Sequence, residues 1–228
     1  MRMLHLRSLA LPALALLIFA GTAAAQVKSP AILSALEVRQ LVTSASPADN
    51  QRLSAHFTAL AAQYSTEAKR HTSMAQGFVG NPNHSLASGM SPHCERLAGL
   101  NTQSATAASE LAAYHQKLAA GAPATAPASG GGLEAGAGAR GPTDQDLNTL
   151  TARASTPADH ADLESYFLSL EKRYAADAKA HASMAQLYRS NTRLAGAGVH
   201  CDRLAQLSQK AANEAAGAAA MHKKLAGH

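Results

Sequence analysis

The chain carries one segment twice. Residues 47–76 match residues 157–186 at a constant offset of 110, and fourteen of the 30 positions are identical: Pro47, Ala48, Asp49, Leu53, Phe57, Leu60, Tyr64, Ala68, Lys69, His71, Ser73, Met74, Ala75 and Gln76. Residues 93–119 match residues 200–226 at an offset of 107, so the loop between the matched segments is three residues shorter in the second copy. Self-similarity of this length marks an internal duplication. Whatever fold one copy takes, the other takes too, and chemistry read in one copy recurs in the other for that reason alone.

Each copy reads as helix. Ser46-Pro47-Ala48-Asp49 and Thr156-Pro157-Ala158-Asp159 place a hydroxyl at N-cap, proline at N1 and an acid at N3. Proline is tolerated at N1 because its missing N–H would be unpaired anyway. The acid completes a capping box and meets the positive end of the helix dipole. From there Phe57, Leu60, Tyr64, Ala68, His71, Ala75 and Phe78 step by three or four residues, as do Phe167, Leu170, Tyr174, Ala178, His181, Ala185 and Tyr188. That spacing is one apolar stripe on a helix of about 32 residues, roughly 48 Å long.

A second stripe follows a Gly/Asn/Pro loop in the first copy: His93, Leu97, Leu100, Ser104, Ala108, Leu111, His115 and Leu118, with Ser91-Pro92 as its cap. Its counterpart is His200, Leu204, Leu207, Ala211, Ala215, Ala218, His222 and Leu225. Short helices around 32–43 and 144–153 precede the two hairpins. Aromatic residues make up only 4% of the chain and Trp is absent. A core built largely from Ala gains little area per residue and leans on a few Leu, Phe and Tyr positions. The expected fold is all-α: two tandem αα-hairpins joined as a pseudo-twofold four-helix bundle. The alternative is a homodimer in which each hairpin pairs with another molecule.

Outside the repeats, two segments have their own signatures. Arg2, His5 and Arg7 precede an apolar run from Leu9 to Ala20, and Ala23-Ala24-Ala25 precedes Gln26. A basic start, a short apolar core and an A-x-A site are those of a secretory signal peptide. The run falls short of the roughly 20 residues of a comfortable membrane span, as does every later segment. The expected organisation is therefore a signal peptide at 1–25, a helical repeat at 26–120, a linker at 121–142 and a second repeat at 143–228. The linker is nearly all Gly, Ala, Pro and Ser and cannot bury a core. Cleavage near Ala25 places the mature chain in the periplasm or outside the cell.

The formal charge is +5 at pH 7 and falls further when Arg2 and Arg7 leave with the signal peptide. The remaining basic residues alternate with acids at helical spacing, the pattern of a solvated face. A basic stripe with interleaved aromatics, the mark of a nucleic-acid reader, is missing. The expected partner is a protein or envelope component rather than nucleic acid.

One recurring set could carry chemistry. His71 with Met74 one turn on, and His93 with Cys94, lie near the loop end of the first hairpin; His181, Met184, His200 and Cys201 repeat them. Imidazole suits copper and zinc, and thioether and thiolate favour Cu(I), so these eight residues form a candidate metal set, one site per copy. His115 lies about 33 Å along its helix from His93 and belongs to the opposite end. The cysteines have three readings: a Cys94–Cys201 disulfide tying the hairpins together in an oxidising compartment, metal ligation, or thiols that are free or paired between molecules. Histidines bonded inside the core are the structural alternative to ligands. No nucleophile elbow, phosphate-cradling loop or paired carboxylates suggest catalysis. Adjacent helical residues such as His93 and Cys94 point apart and form no dyad. The expectation is a non-enzymatic structural or interaction protein, with copper or zinc binding as the alternative.

The motifs Pro157-Ala158-Asp159-His160, Tyr174 to His181-Ala182-Ser183-Met184-Ala185, His200-Cys201-Asp202-Arg203-Leu204-Ala205 and His222-Lys223-Lys224-Leu225-Ala226 resemble those of a family of exported bacterial all-helical proteins with no known activity. The first copy departs at Asn50, where the second has His160. The resemblance implies an exported helical fold and no particular activity.

Overall fold

The computed structural model describes residues 32–83, 89–120 and 142–227. The expected signal peptide and all of the expected linker except Pro142 lie outside them. The described chain is all-α: α1 (Ala35–Ser44), α2 (Pro47–Gly80), α3 (Met90–Leu118), α4 (Asp144–Arg153), α5 (Pro157–Ser190) and α6 (Gly198–Ala226), with a 3-10 turn at Ala195–Ala197 before α6. None of the described helices is long and apolar enough to cross a membrane.

The N-termini form where the local chemistry places them. Ser46 accepts from Asp49 N at 3.1 Å while the Asp49 carboxylate accepts from Ser46 N at 3.2 Å. Thr156 and Asp159 repeat this at 3.2 and 3.1 Å. The same box starts α1 at Ser34 and α4 at Thr143. The expected cap at Ser91-Pro92 is different. α3 begins at Met90 after Gly89, and Ser91 instead donates to Glu95 Oε1 at 3.1 Å. Pro92 still fits, because the first turn of a helix has no internal acceptor for its N–H.

α2 packs along α3, α5 along α6, and the hairpins meet chiefly through α3 and α6. The last two run antiparallel: His93 meets Glu214 near one end, and Glu110 meets His200 and Arg203 near the other. The loop end of each hairpin therefore lies beside the open end of the other. Two apolar clusters result, each drawing on both repeats. One joins Met74, Phe78, Cys94 and Leu97 to Leu163, Phe167, Tyr174 and Ala215; the other joins Leu53, Phe57, Tyr64 and Leu111 to Tyr188, Leu194, Cys201 and Leu204.

The short helices cross over to the other repeat. Asn81, ending α2, donates to Thr151 O of α4 and to Ala154 O just beyond it, at 3.2 and 3.0 Å. Its counterpart Asn191, ending α5, donates to Val42 O of α1 at 2.8 Å. The two contacts are unequal in depth. A Cβ on Gly77 would collide with the Thr151 side chain, so glycine admits α4 against α2. The repeat-related position is Leu187, which lines an open groove beneath α1.

Candidate functional site

The geometry of the repeated His/Met/Cys set starts with the rotation of α3 and α6. The stripe that faces inward is Met90, Cys94, Leu97, Asn101, Ser104, Ala108, Leu111 and His115. Cys94 and Cys201 are fully buried, and His93 and His200 sit at the edge of the core. This reverses the expected roles of histidine and cysteine, because both 93 and 94 fit a three-four spacing and packing against the other hairpin chooses between them.

Cys94 and Cys201 are free thiols, and the disulfide reading is corrected. The reason is topological. Cys201 lies near the level of Glu110, sixteen residues along α3 from Cys94, or roughly 24 Å. A disulfide requires Cα atoms within about 7 Å. Burial pushes both thiols up to about 12, far from the thiolate needed for nucleophilic attack or soft-metal ligation.

The metal set does not gather as a unit either. His71 points across to α5, with Tyr174 Oη 3.5 Å from its Nε2; Tyr174 Oη also accepts from Asn101 Nδ2 at 2.8 Å. His181 repeats the contact, 3.0 Å from Tyr64 Oη. Met74 and Cys94 pack in one apolar cluster, while Cys201 lies in the other with half-buried Met184 against it. His93 Nδ1 meets the Glu214 carboxylate, and His200 Nδ1 lies 3.3 Å from Glu110 Oε2. Arg96 and Arg203 grip the same two carboxylates at 2.7 and 3.5 Å. The H-C-x-R motif thus sends cysteine into the core and lays histidine and arginine on a glutamate of the other repeat. Among the described residues, no three His, Cys, Asp or Glu side chains converge to hold a metal ion.

Between the two apolar clusters lies a polar layer. Glu67 is buried, accepts from Arg70 Nη1 of its own helix at 2.9 Å, and forms an ion pair with Arg173 Nη2 of α5 at 3.2 Å. Arg70 also reaches Asp144 at the start of α4. Asp177, the repeat counterpart of Glu67, lies close to Arg173 and Glu67; burial raises its carboxyl to about 6, against the pull of Arg173. Burial holds His56, His71, His115 and His181 down to about 4 and His222 to about 3, so all five are neutral at pH 7.

The ends of the molecule hold two further groups that spacing alone did not single out. At one end His115 Nδ1 lies 2.8 Å from Asn50 Oδ1 and its Nε2 lies 2.8 Å from Tyr188 Oη. Asn50 Nδ2 is committed to Ala45 O and Ser46 O, at 3.2 and 2.9 Å, so Oδ1 accepts from His115 Nδ1–H. Nε2 then accepts from the Tyr188 hydroxyl. Both ring nitrogens are satisfied. At the other end the same three positions hold His160, His222 and Phe78. The two imidazoles meet Nδ1 to Nδ1 at 3.1 Å, and both Nε2 atoms are buried with no hydrogen-bond partner among the described residues. The exchange of Asn50 for His160 was visible in the sequence; the Tyr188-for-Phe78 exchange that completes it was hidden, because each partner comes from the opposite repeat.

On the outside, a shallow groove of about 710 Å³ runs between α2 and α3, lined by Ser65, Lys69, Thr72, Thr102, Thr106 and Ser109 among others. At the corresponding positions the second repeat has Ala175, Lys179, Ala182, Gln209, Asn213 and Ala216. No family model matches the chain, and neither a curated protein nor a solved structure matches it at a significant level.

Proposed function

We propose that this is a non-catalytic helical interaction protein of the cell envelope, exported by its N-terminal segment and working through the outer faces of a pseudo-twofold four-helix bundle. The observation that carries the reading is how the inward-facing reactive groups are used. The buried histidines are neutral and packed between repeats, the thiols are buried and protonated, and the glutamates beside His93 and His200 are held by arginine. Such an interior supplies rigidity rather than turnover, which leaves recognition to the surface. A protein or envelope partner fits the mixed, modestly basic exterior.

The alternative, copper or zinc held by His71, Met74, His93, Cys94 and their repeats, has weaker support, because these side chains point to separate partners. Photo-crosslinking in cells separates the two faces. A benzophenone side chain at Thr72 or Thr106, and in parallel at Ala182 or Asn213, should give a discrete adduct from one face of the exported protein. No adduct from either face, or retention of the unprocessed chain in the cytoplasm, would contradict the proposal.

A further inference from the structure

The contact between His93 and Met221 has no role in the interaction reading and is independent of it. His93 lies on α3 and Met221 on α6. His93 Nδ1 touches the Glu214 carboxylate, and Arg96 Nη2 lies 2.7 Å from the same oxygen and 3.2 Å from Nδ1. The guanidinium donates at the shorter distance to the carboxylate, which accepts only, so Nδ1 facing that carboxylate carries the proton and donates it. In the neutral ring the lone pair is then fixed on Nε2, and Nε2 lies 3.1 Å from Met221 Sδ. Two electron-pair donors thus face each other across a gap that neither fills with a proton. A carboxylate holding the far nitrogen of an imidazole is also the arrangement that orients and strengthens a histidine ligand.

The surroundings make room for this pair. Gly217 sits in the middle of α6, where glycine costs about 1 kcal/mol relative to alanine. A Cβ there would come within 3.1 Å of His93 Cε1, so the glycine seats the ring. A Cβ on Gly89 would collide with Met221 Cε. The side chains of His93 and Glu214 are 16% and 18% exposed, so the pair is reachable from solvent while remaining held. The repeat provides an internal control. His200 finds a carboxylate too, but from Glu110, which aligns with Gly217 rather than with Glu214, and the position of Met221 is taken by Tyr114, which offers no soft donor and donates instead to Arg193 O at 3.3 Å.

We propose that His93 Nε2 and Met221 Sδ bind one soft monovalent cation of the Cu(I) class, at a single site per chain on the seam between the hairpins. Imidazole together with thioether selects Cu(I) over harder divalent ions, and the flexible thioether can swing to admit the ion. Binding needs no redox step and no release of a proton from the ring.

Silver(I) is the redox-inert probe. It is titrated into the full chain carrying ¹³C-methyl methionine, and the methionine methyl and imidazole nitrogen resonances are followed. The expected result is a stoichiometric shift of the Met221 methyl and of His93 Nε2, with the buried Met74 and Met90 methyls unmoved. Met221→Leu should abolish the His93 shift, and His93→Gln should abolish the Met221 shift. The proposal is overturned if wild-type Met221 and His93 stay unmoved while silver reacts with Cys94 or Cys201, or if His93 Nε2 is already protonated at pH 7 and silver does not displace that proton.

Discussion

The two ends of this molecule are built from segments of matching sequence, yet they solve the burial of a histidine differently. At one end Asn50, His115 and Tyr188 form a chain in which every ring nitrogen has a partner. At the other, His160 and His222 must share a single proton between their Nδ1 atoms, beneath Phe78 and Phe167. One ring keeps Nδ1–H and the other keeps Nε2–H, and neither Nε2 has a partner among the described residues. A buried polar group without a partner costs about 1–3 kcal/mol. The matched positions differ by two exchanges, Asn50 for His160 and Tyr188 for Phe78, and these close one socket and leave the other incomplete.

Acid should break the comparison most visibly. Six histidines are buried: His56, His71, His115, His160, His181 and His222. Their folded-state pKa values all lie below the ordinary 6.5, first because burial penalises the charged ring. Unfolding therefore takes up protons. The stability these rings contribute is complete above pH 6.5 and is lost as pH falls from there toward 4. At pH 5 each deeply buried ring withdraws on the order of 1–2 kcal/mol, and the six together should bring the midpoint of acid unfolding between pH 4 and 6. Circular dichroism against pH checks this; a fold unchanged down to pH 3.5 would contradict neutral burial.

Single substitutions sharpen the contrast between the ends. Asn50→Leu removes the partner of His115 Nδ1 and the two bonds to Ala45 and Ser46, and should cost about 2–4 kcal/mol in urea unfolding. His160→Leu removes one of two incompletely bonded rings and should cost less than half as much. The reverse exchange, His160→Asn with Phe78→Tyr, copies the satisfied end into the other and should gain about 1 kcal/mol. Equal losses at the two ends would mean that the orphaned nitrogens have partners after all.

A smaller effect should distinguish the crossing helices. Gly77→Leu gives α2 the residue found at Leu187 and collides with Thr151, so α4 should lift and its amides lose exchange protection. The cost should be about 1–2 kcal/mol, the range of an overpacked contact. Leu187→Gly beneath α1 should leave α1 protection nearly unchanged.

Much of the local structure was legible in the residues themselves. The capping boxes at Ser46 and Thr156, the long stripes and the duplication each depend on neighbours within a turn or two, and they fix the helices at 47–80 and 157–190. The phase of α3 was not legible, since His93 and Cys94 both continue a three-four spacing and only the opposing hairpin decides which turns inward. Nor was the disulfide question, which hinges on whether the hairpins dock parallel or antiparallel. Antiparallel docking sends Cys94 and Cys201 to opposite clusters, and it pairs His71 with Tyr174, His93 with Glu214 and His115 with Tyr188. The chemistry-bearing residues were found by pattern; their partners lay on the other copy, where no spacing rule reaches.

The central claim is that the buried histidines at the two ends, His115 and the His160–His222 pair, are neutral, with both ring nitrogens bonded at one end and only Nδ1 bonded at the other. Long-range ¹H–¹⁵N correlation of the imidazole rings at pH 7 tests it most directly. His115 should appear as a single neutral ring protonated at Nδ1, whereas His160 and His222 should appear as neutral rings of opposite tautomer, or as an exchanging pair averaged between the two. An imidazolium pattern at His115, or an Nε2–H tautomer there, would contradict the account.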